Sequence, residues 1–513
     1  MTLLTRRRFL ASSAAAAAAT AFRPMPSLAK PASTRLVVER RTIEVNGRPA
    51  SVLGVRQPNG TPGLVLDPGE AFRVRLENRL DEQTIVHWHG QTPPPSEDGV
   101  ADTGYVSPLA PGESRAYDFA ARPGTHWMHS HQGLQEQLLL AAPLVVRTPE
   151  EALDDRQEVT VLLQDFSFRG PTEILAGLTG ETADTATVHQ GMNHGSMVMT
   201  PPPAMDHEME GMNGSMPGMP MRHAAPGNGA SSAMSMMQGA GMMDLNDVEY
   251  DAFLANERTL RDPLVVRTEG GGRVRLRLIN GATSTAFWID LGNAVGEVVA
   301  ADGNPVTPVR GSRFPLAQAQ RLDILVQMPK QGVVPVIAQR EGGRSRTGII
   351  LATPDAAVRR VPDEADDMAG PVDLSLEHRL RALRPLSEKR PDVVHEVSLN
   401  GSMMPYAWAL DGRTWANHQP LQVSKGDRAL LKLVNRTAMA HPMHLHGHHF
   451  QVVELEGRPL GGAVRDTVMV PARGTVSVAF DAVNPGRWLF HCHNLYHMAT
   501  GMMTEVAYGP RAS

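Results

Sequence analysis

One cysteine stands in 513 residues, and it stands between two histidines, in Phe490-His491-Cys492-His493-Asn494-Leu495-Tyr496-His497, with Met502 shortly after. A lone thiol forms no internal disulfide, whereas a thiolate beside imidazoles is a soft ligand set for a metal. If Trp488 to His493 ends a strand, Cys492 faces one side while His491 and His493 face the other, because successive side chains on a strand alternate. One strand then serves two metal sites. The same parity recurs in His441-Pro442-Met443-His444-Leu445-His446-Gly447, where His444 and His446 share a face and His441 takes the opposite one. His497 and Met502 lie five and ten residues beyond the cysteine, a spacing that suits a loop folding back over the thiolate. His441, Cys492, His497 and Met502 therefore make up the ligand set of a blue-copper electron-transfer site: two imidazoles, a thiolate and a weak axial thioether.

Four non-overlapping His-x-His pairs are present: His87/His89, His129/His131, His444/His446 and His491/His493. Each puts two imidazoles on one strand face. A single such pair is a common accident of polar loops. Four pairs, two near each end of a chain with 20 histidines, point instead to eight converging imidazoles, enough to hold three copper ions.

These stretches resemble the multicopper oxidases, a family of laccases, ascorbate oxidase and bacterial copper-tolerance oxidases. The matching motifs are His87-Trp88-His89-Gly90, His129-Ser130-His131, His441 to Gly447, and His491-Cys492-His493 with His497 and Met502. The resemblance implies four copper ions. The blue copper is held by His441, Cys492, His497 and Met502, and a single normal copper by His87 and His444. A coupled pair is held by His89, His129 and His493 on one ion and by His131, His446 and His491 on the other. The implied fold is all-β: three cupredoxin-like Greek-key β-sandwich domains, with the cluster between the first and third. The implied chemistry is one-electron oxidation of substrate at the blue copper, transfer through Cys492 to His491 or His493, and four-electron reduction of dioxygen to water. Asp98, in Ser96-Glu97-Asp98-Gly99, resembles the family's acidic residue near the cluster and is a catalytic candidate beside Cys492. An Asp before Gly equally reads as a turn residue, and Glu97 is its alternative.

The elements that must carry these residues read as strands. Short alternating stretches such as Phe72-Arg73-Val74-Arg75-Leu76 and Val274-Arg275-Leu276-Arg277-Leu278 recur between turn signals, with 40 prolines and 47 glycines in the chain. Residues 30–148 form the expected first domain, 149–357 the second and 393–513 the third, with 358–392, charged and Pro-punctuated, as a linker. The second domain carries no ligand motif and is expected to space and pack the others. His126, His378, His395 and His418 read as structural; of His448 and His449, at least one is expected to face outward.

Residues 189–243 hold fourteen of the 27 methionines among Gly, Pro, Ser and four histidines. Such a tract builds no core and reads as an insertion in the second domain. Thioethers select Cu(I), so Met192, Met197, Met205, Met209, His194 and His207 are candidate ligands for substrate copper; the alternative is a low-complexity linker. Similar Met-rich insertions occur in the family's copper-tolerance members. Met439 matches a methionine that docks Cu(I) in copper-efflux oxidases. Thr437 and Met498 depart from the acidic residues found there and in some relatives, which argues against a closely similar docking site.

The N-terminus, with Arg6-Arg7-Arg8, an Ala-rich run and Ser27-Leu28-Ala29, reads as a twin-arginine export signal cut after residue 29, which predicts a periplasmic protein without a membrane span. A net charge of −5 without a basic stripe argues against nucleic acid as a partner. A monomer is expected. The leading function is an exported cuprous oxidase that protects against copper, with dioxygen as acceptor. The alternatives are a laccase-type oxidase of phenols and aryl amines, and a non-catalytic copper-binding protein, which the full ligand set disfavours.

Overall fold

The computed structural model describes residues 33–181 and 245–510. The expected signal, residues 1–29, and the Met-rich stretch with Met192, Met197, Met205, Met209, His194 and His207 lie outside the described residues. Alternation in sequence becomes alternation in burial. Phe72, Val74, Leu76 and Asn78 face inward along the strand Phe72–Asn78, and Val274, Leu276 and Leu278 do so along Arg273–Asn280.

Six sheets pair into three sandwiches. In the first, a four-stranded sheet built on Thr34–Val45 and Phe72–Asn78 encloses a core with a sheet built on Gly124–Ser130 and Ala141–Val146; Leu36, Phe72 and Val74 meet Val86, Met128 and Leu144 in it. The second and third repeat the plan with larger sheets. Each sandwich opens on a strand that pairs in parallel with a later one: Thr34–Val45 with Phe72–Asn78, Gln157–Phe166 with Arg273–Asn280, and Val393–Met403 with Arg428–Asn435. Each second sheet repeats a second parallel pair.

This repetition locates the histidines. In the first sandwich, the strands Val86–His87 and Gly124–Ser130 place His87 opposite His129. In the third, His441–Leu445 and Arg487–Cys492 occupy the same places in their sheet, with His444 opposite His491 and Met443 opposite Cys492. The corresponding strands of the second sandwich, Phe287–Asp290 and Val333–Arg340, carry Phe287, Ile289, Val336 and Ala338 into its core instead. The absence of a ligand motif there is a substitution of apolar for imidazole side chains at matching sheet positions.

After Cys492 the chain makes one short helix, Leu495–Ala499, whose N-terminus is capped by the Asn494 side chain accepting from the backbone of Tyr496 and His497. That single turn carries His497 back over the cysteine. Gly501, at φ 123°, then reverses the chain into the strand Met503–Tyr508.

Candidate metal centres

Strand parity holds at both faces of Arg487–Cys492. On one face, Cys492 Sγ lies 3.7 Å from His441 Nδ1 and 3.6 Å from His497 Nδ1, and the two nitrogens are 3.1 Å apart. All three side chains are fully buried. Met502, also fully buried, accepts from the Cys492 amide through its carbonyl, and its own amide donates to His497. The outer nitrogens are held: His441 Nε2 by Thr437 Oγ1 at 2.7 Å, His497 Nε2 by Asp247 Oδ1 at 3.1 Å. Trp408 stacks on the His497 ring, centroids 3.9 Å apart. Burial pushes the free Cys492 thiol up; a metal bound there would deprotonate it.

On the other face, eight imidazoles converge from the first and third sandwiches. His89, His129 and His493 have ring centroids 5.0–5.6 Å apart. His131, His446 and His491 form a second trio at 5.1–5.4 Å, and His87 and His444 lie 5.8 Å apart. Six inner nitrogens, His87 Nε2, His89 Nδ1, His129 Nε2, His131 Nε2, His444 Nε2 and His493 Nε2, are buried without a hydrogen-bond partner, while His446 Nε2 and His491 Nε2 face one another at 3.0 Å. Buried polar atoms are ordinarily paired. Lone pairs left bare while six of the eight outer nitrogens meet oxygen acceptors fit metal ions.

The outer nitrogens fix this orientation. Asp98 accepts from His87 Nδ1 with its carbonyl and from His446 Nδ1 with Oδ2, both at 2.9 Å. Asp466 accepts from His444 Nδ1 with its carbonyl at 2.9 Å and from His89 Nε2 with Oδ1 at 3.0 Å. Glu136 Oε2 lies 3.0 Å from His129 Nδ1, and the Cys492 carbonyl accepts from His491 Nδ1 at 2.9 Å. A proton on each outer nitrogen leaves the inner lone pair free to ligate. Burial pushes His89, His131 and His444 well below the usual histidine range, with the Arg321 guanidinium adding to it at His89, and takes His491 to about 3, so these four rings are neutral and ready for a metal.

Every histidine and cysteine expected at the two centres is thus brought to one of them, and Asp98 is brought to the cluster. Glu97 is not: its carboxylate accepts from the Asp118 amide on the surface. Two expectations are corrected. Neither His448 nor His449 faces outward, because His448 Nε2 bonds the Tyr508 hydroxyl and His449 is held by Gly90 and Asn304. The second sandwich does more than space the others: Asp247 reaches His497, and Arg321 clamps the Asp466 carboxylate through two contacts of 2.7 and 2.5 Å. Asp247, Asp466, Glu136 and Trp408 were not legible as site residues. The available hint for Asp466 is a polar triplet, Arg465-Asp466-Thr467, running into the buried strand Thr467–Val470.

Three family models, each described as multicopper oxidase, match residues 37–151, 213–351 and 388–512. The multicopper oxidase MmcO of Mycobacterium tuberculosis is 31% identical over 94% of this chain and 88% of its own. Copper resistance protein A of Pseudomonas syringae pv. tomato is 26% identical, covering 92% of each chain. Among solved structures, a multi-copper oxidase from Pseudomonas thermotolerans superposes with a TM-score of 0.64 at 22% identity, over 93% of this chain and 99% of that one, which shows a shared fold.

Proposed function

Since this chain belongs to the multicopper oxidase family and is an oxidoreductase that uses copper, we propose that it is a cuprous oxidase serving copper tolerance. The supporting observation is the closure of the thiolate site. His441, Cys492 and His497 are fully buried, and beside them lies a cavity of about 30 Å3 lined by Met439, Met469, Glu341, Pro442 and Asn494. That volume suits one ion or one or two waters. The thioethers of Met439 and Met469 in that lining suit Cu(I). The similarity to a copper resistance protein points the same way.

His441, Cys492, His497 and Met502 would hold the blue copper; His87 and His444 a single ion; His89, His129 and His493, and His131, His446 and His491, a coupled pair. Copper bound there supplies one-electron acceptance from substrate at the thiolate and four-electron reduction of dioxygen to two waters at the histidine cluster. Cys492, joined by peptide bonds to His491 and His493, provides a covalent path between the centres. Asp98 keeps His446 in its ligating tautomer through Oδ2, and its Oδ1 is buried at the cluster without a hydrogen bond, 3.4 Å from His87 Nδ1. The arginine-rich N-terminus supports export to the periplasm. Among the described residues no helix is long and apolar enough to cross a membrane.

The test is dioxygen uptake by the copper-loaded chain with Cu(I) and, separately, with a phenol, repeated on a variant lacking residues 190–243. Loss of Cu(I) turnover in the variant, with phenol turnover kept or raised, supports cuprous oxidation. Slow Cu(I) oxidation that is indifferent to the deletion makes the protein a laccase-type oxidase.

A further inference from the structure

Asp247 reaches the thiolate-centred site from outside the third sandwich. Its side chain and that of His497 are both fully buried. Oδ1 accepts from His497 Nε2 and from the Tyr406 hydroxyl, each at 3.1 Å, and Oδ2 accepts from Asn494 Nδ2. Asn494 in turn donates its backbone N–H to Cys492 Sγ at 3.5 Å, and its Oδ1 caps the helix that carries His497. Trp408 closes the face of the His497 ring. One carboxylate therefore touches a ligand imidazole directly and reaches the thiolate through a single residue.

A carboxylate on the outer N–H of a ligating imidazole makes that ring the stronger donor and favours the more highly charged state of the metal. We propose that Asp247 is a positioning residue that sets the reduction potential of the blue-copper site, holding it below the value the ligands alone would give. This rests on the reading of His441, Cys492, His497 and Met502 as that site. The charge is delivered by the second sandwich, so electron affinity in the third depends on how the two are docked.

The test is redox titration of the visible thiolate–copper band in the full-length, copper-loaded protein. Asp247→Asn keeps the size and an acceptor for His497 but removes the charge. Its potential is expected to rise, with a tenfold change in relative affinity for the two copper states corresponding to about 59 mV. Tyr406→Phe keeps the charge and removes a competing donor, which strengthens the bond to His497, so its potential is expected to fall. Loosened packing would move both variants the same way. A wild-type potential in Asp247→Asn, or shifts of the same sign in the two variants, overturns the proposal. If Asp247→Asn does not take up copper, Tyr406→Phe decides alone: a fall supports the proposal, and a rise or no shift overturns it. A wild-type protein that binds copper but shows no thiolate band would instead sink the reading of the site itself, and the proposal with it.

Discussion

Asp98 and Asp466 are counterparts across the histidine cluster. Each gives its carbonyl to a histidine of its own sandwich, His87 or His444, and its carboxylate to a histidine of the other, His446 or His89. The two sandwiches are thereby cross-tied at the ligands themselves. The counterparts differ in their second oxygen. Asp466 Oδ2 is held by Arg321, while Asp98 Oδ1 is buried without a hydrogen bond, 3.4 Å from His87 Nδ1.

That difference predicts two phenotypes. Asp466→Ala removes the carboxylate that clamps the fully buried Arg321 guanidinium and leaves it only Asp302, 3.7 Å away, so it should cost about 3 kcal/mol of stability, read by denaturant unfolding. Asp98→Ala strands no cation. It should lower cluster copper affinity or turnover by about 10–100-fold, with a far smaller change in unfolding midpoint.

Cys492→Ser should abolish the visible thiolate–copper band and reduce substrate oxidation below detection. The eight histidines across the strand do not use the sulfur, so copper content should fall by about the one ion of the thiolate site. Metal analysis beside the visible spectrum checks both halves of this expectation.

Met439→Leu should raise the KM for Cu(I) roughly tenfold, about 1.4 kcal/mol of binding, and leave kcat/KM for a phenol unchanged. The side chain is 4% exposed and lines the cavity beside the thiolate, so an apolar replacement of similar volume isolates the sulfur. Steady-state dioxygen uptake with each substrate measures the split.

Glu341, on the same cavity, supplies a pH prediction. Burial raises its carboxyl from 4.5 to about 7. The folded state therefore binds more protons than the unfolded state between those values. The associated stability is fully present below pH 4.5 and is lost as pH rises through about 7. Glu341→Gln should match the wild type near pH 4 and exceed it by about 3 kcal/mol above pH 7, as followed by urea unfolding across that range.

The ligands were legible in the sequence because they obey a local rule. Parity within a strand separates Cys492 from its flanking histidines whatever the rest of the chain does. The pattern of buried alternation in Phe72–Asn78 is equally local. What surrounds the ligands is not local. Asp247 lies 250 positions from His497, and Asp466 lies 377 from His89. Nothing in Leu245-Asn246-Asp247-Val248 distinguishes that aspartate from a surface turn. His448 and His449 also owe their burial to distant partners, His448 to Tyr508 of its own sandwich and His449 to the other two. A strand end beside a polar pair looks exposed until the other sandwiches close over it, and the hydrogen bonds that bury His449 come from Gly90 and Asn304 in those sandwiches.

The opposite-facing neighbours on Arg487–Cys492 also bear on how the gene can vary. Deleting or adding one codon within that strand would turn every following side chain to the other face, presenting an imidazole where the thiolate belongs and the thiol where an imidazole belongs. A substitution at one position spoils one ligand, whereas a change of one codon in length exchanges the occupants of both centres at once. Recombination among homologues should therefore preserve the codon count between His441 and Met502 on the strands more strictly than it preserves the amino acids between the ligands.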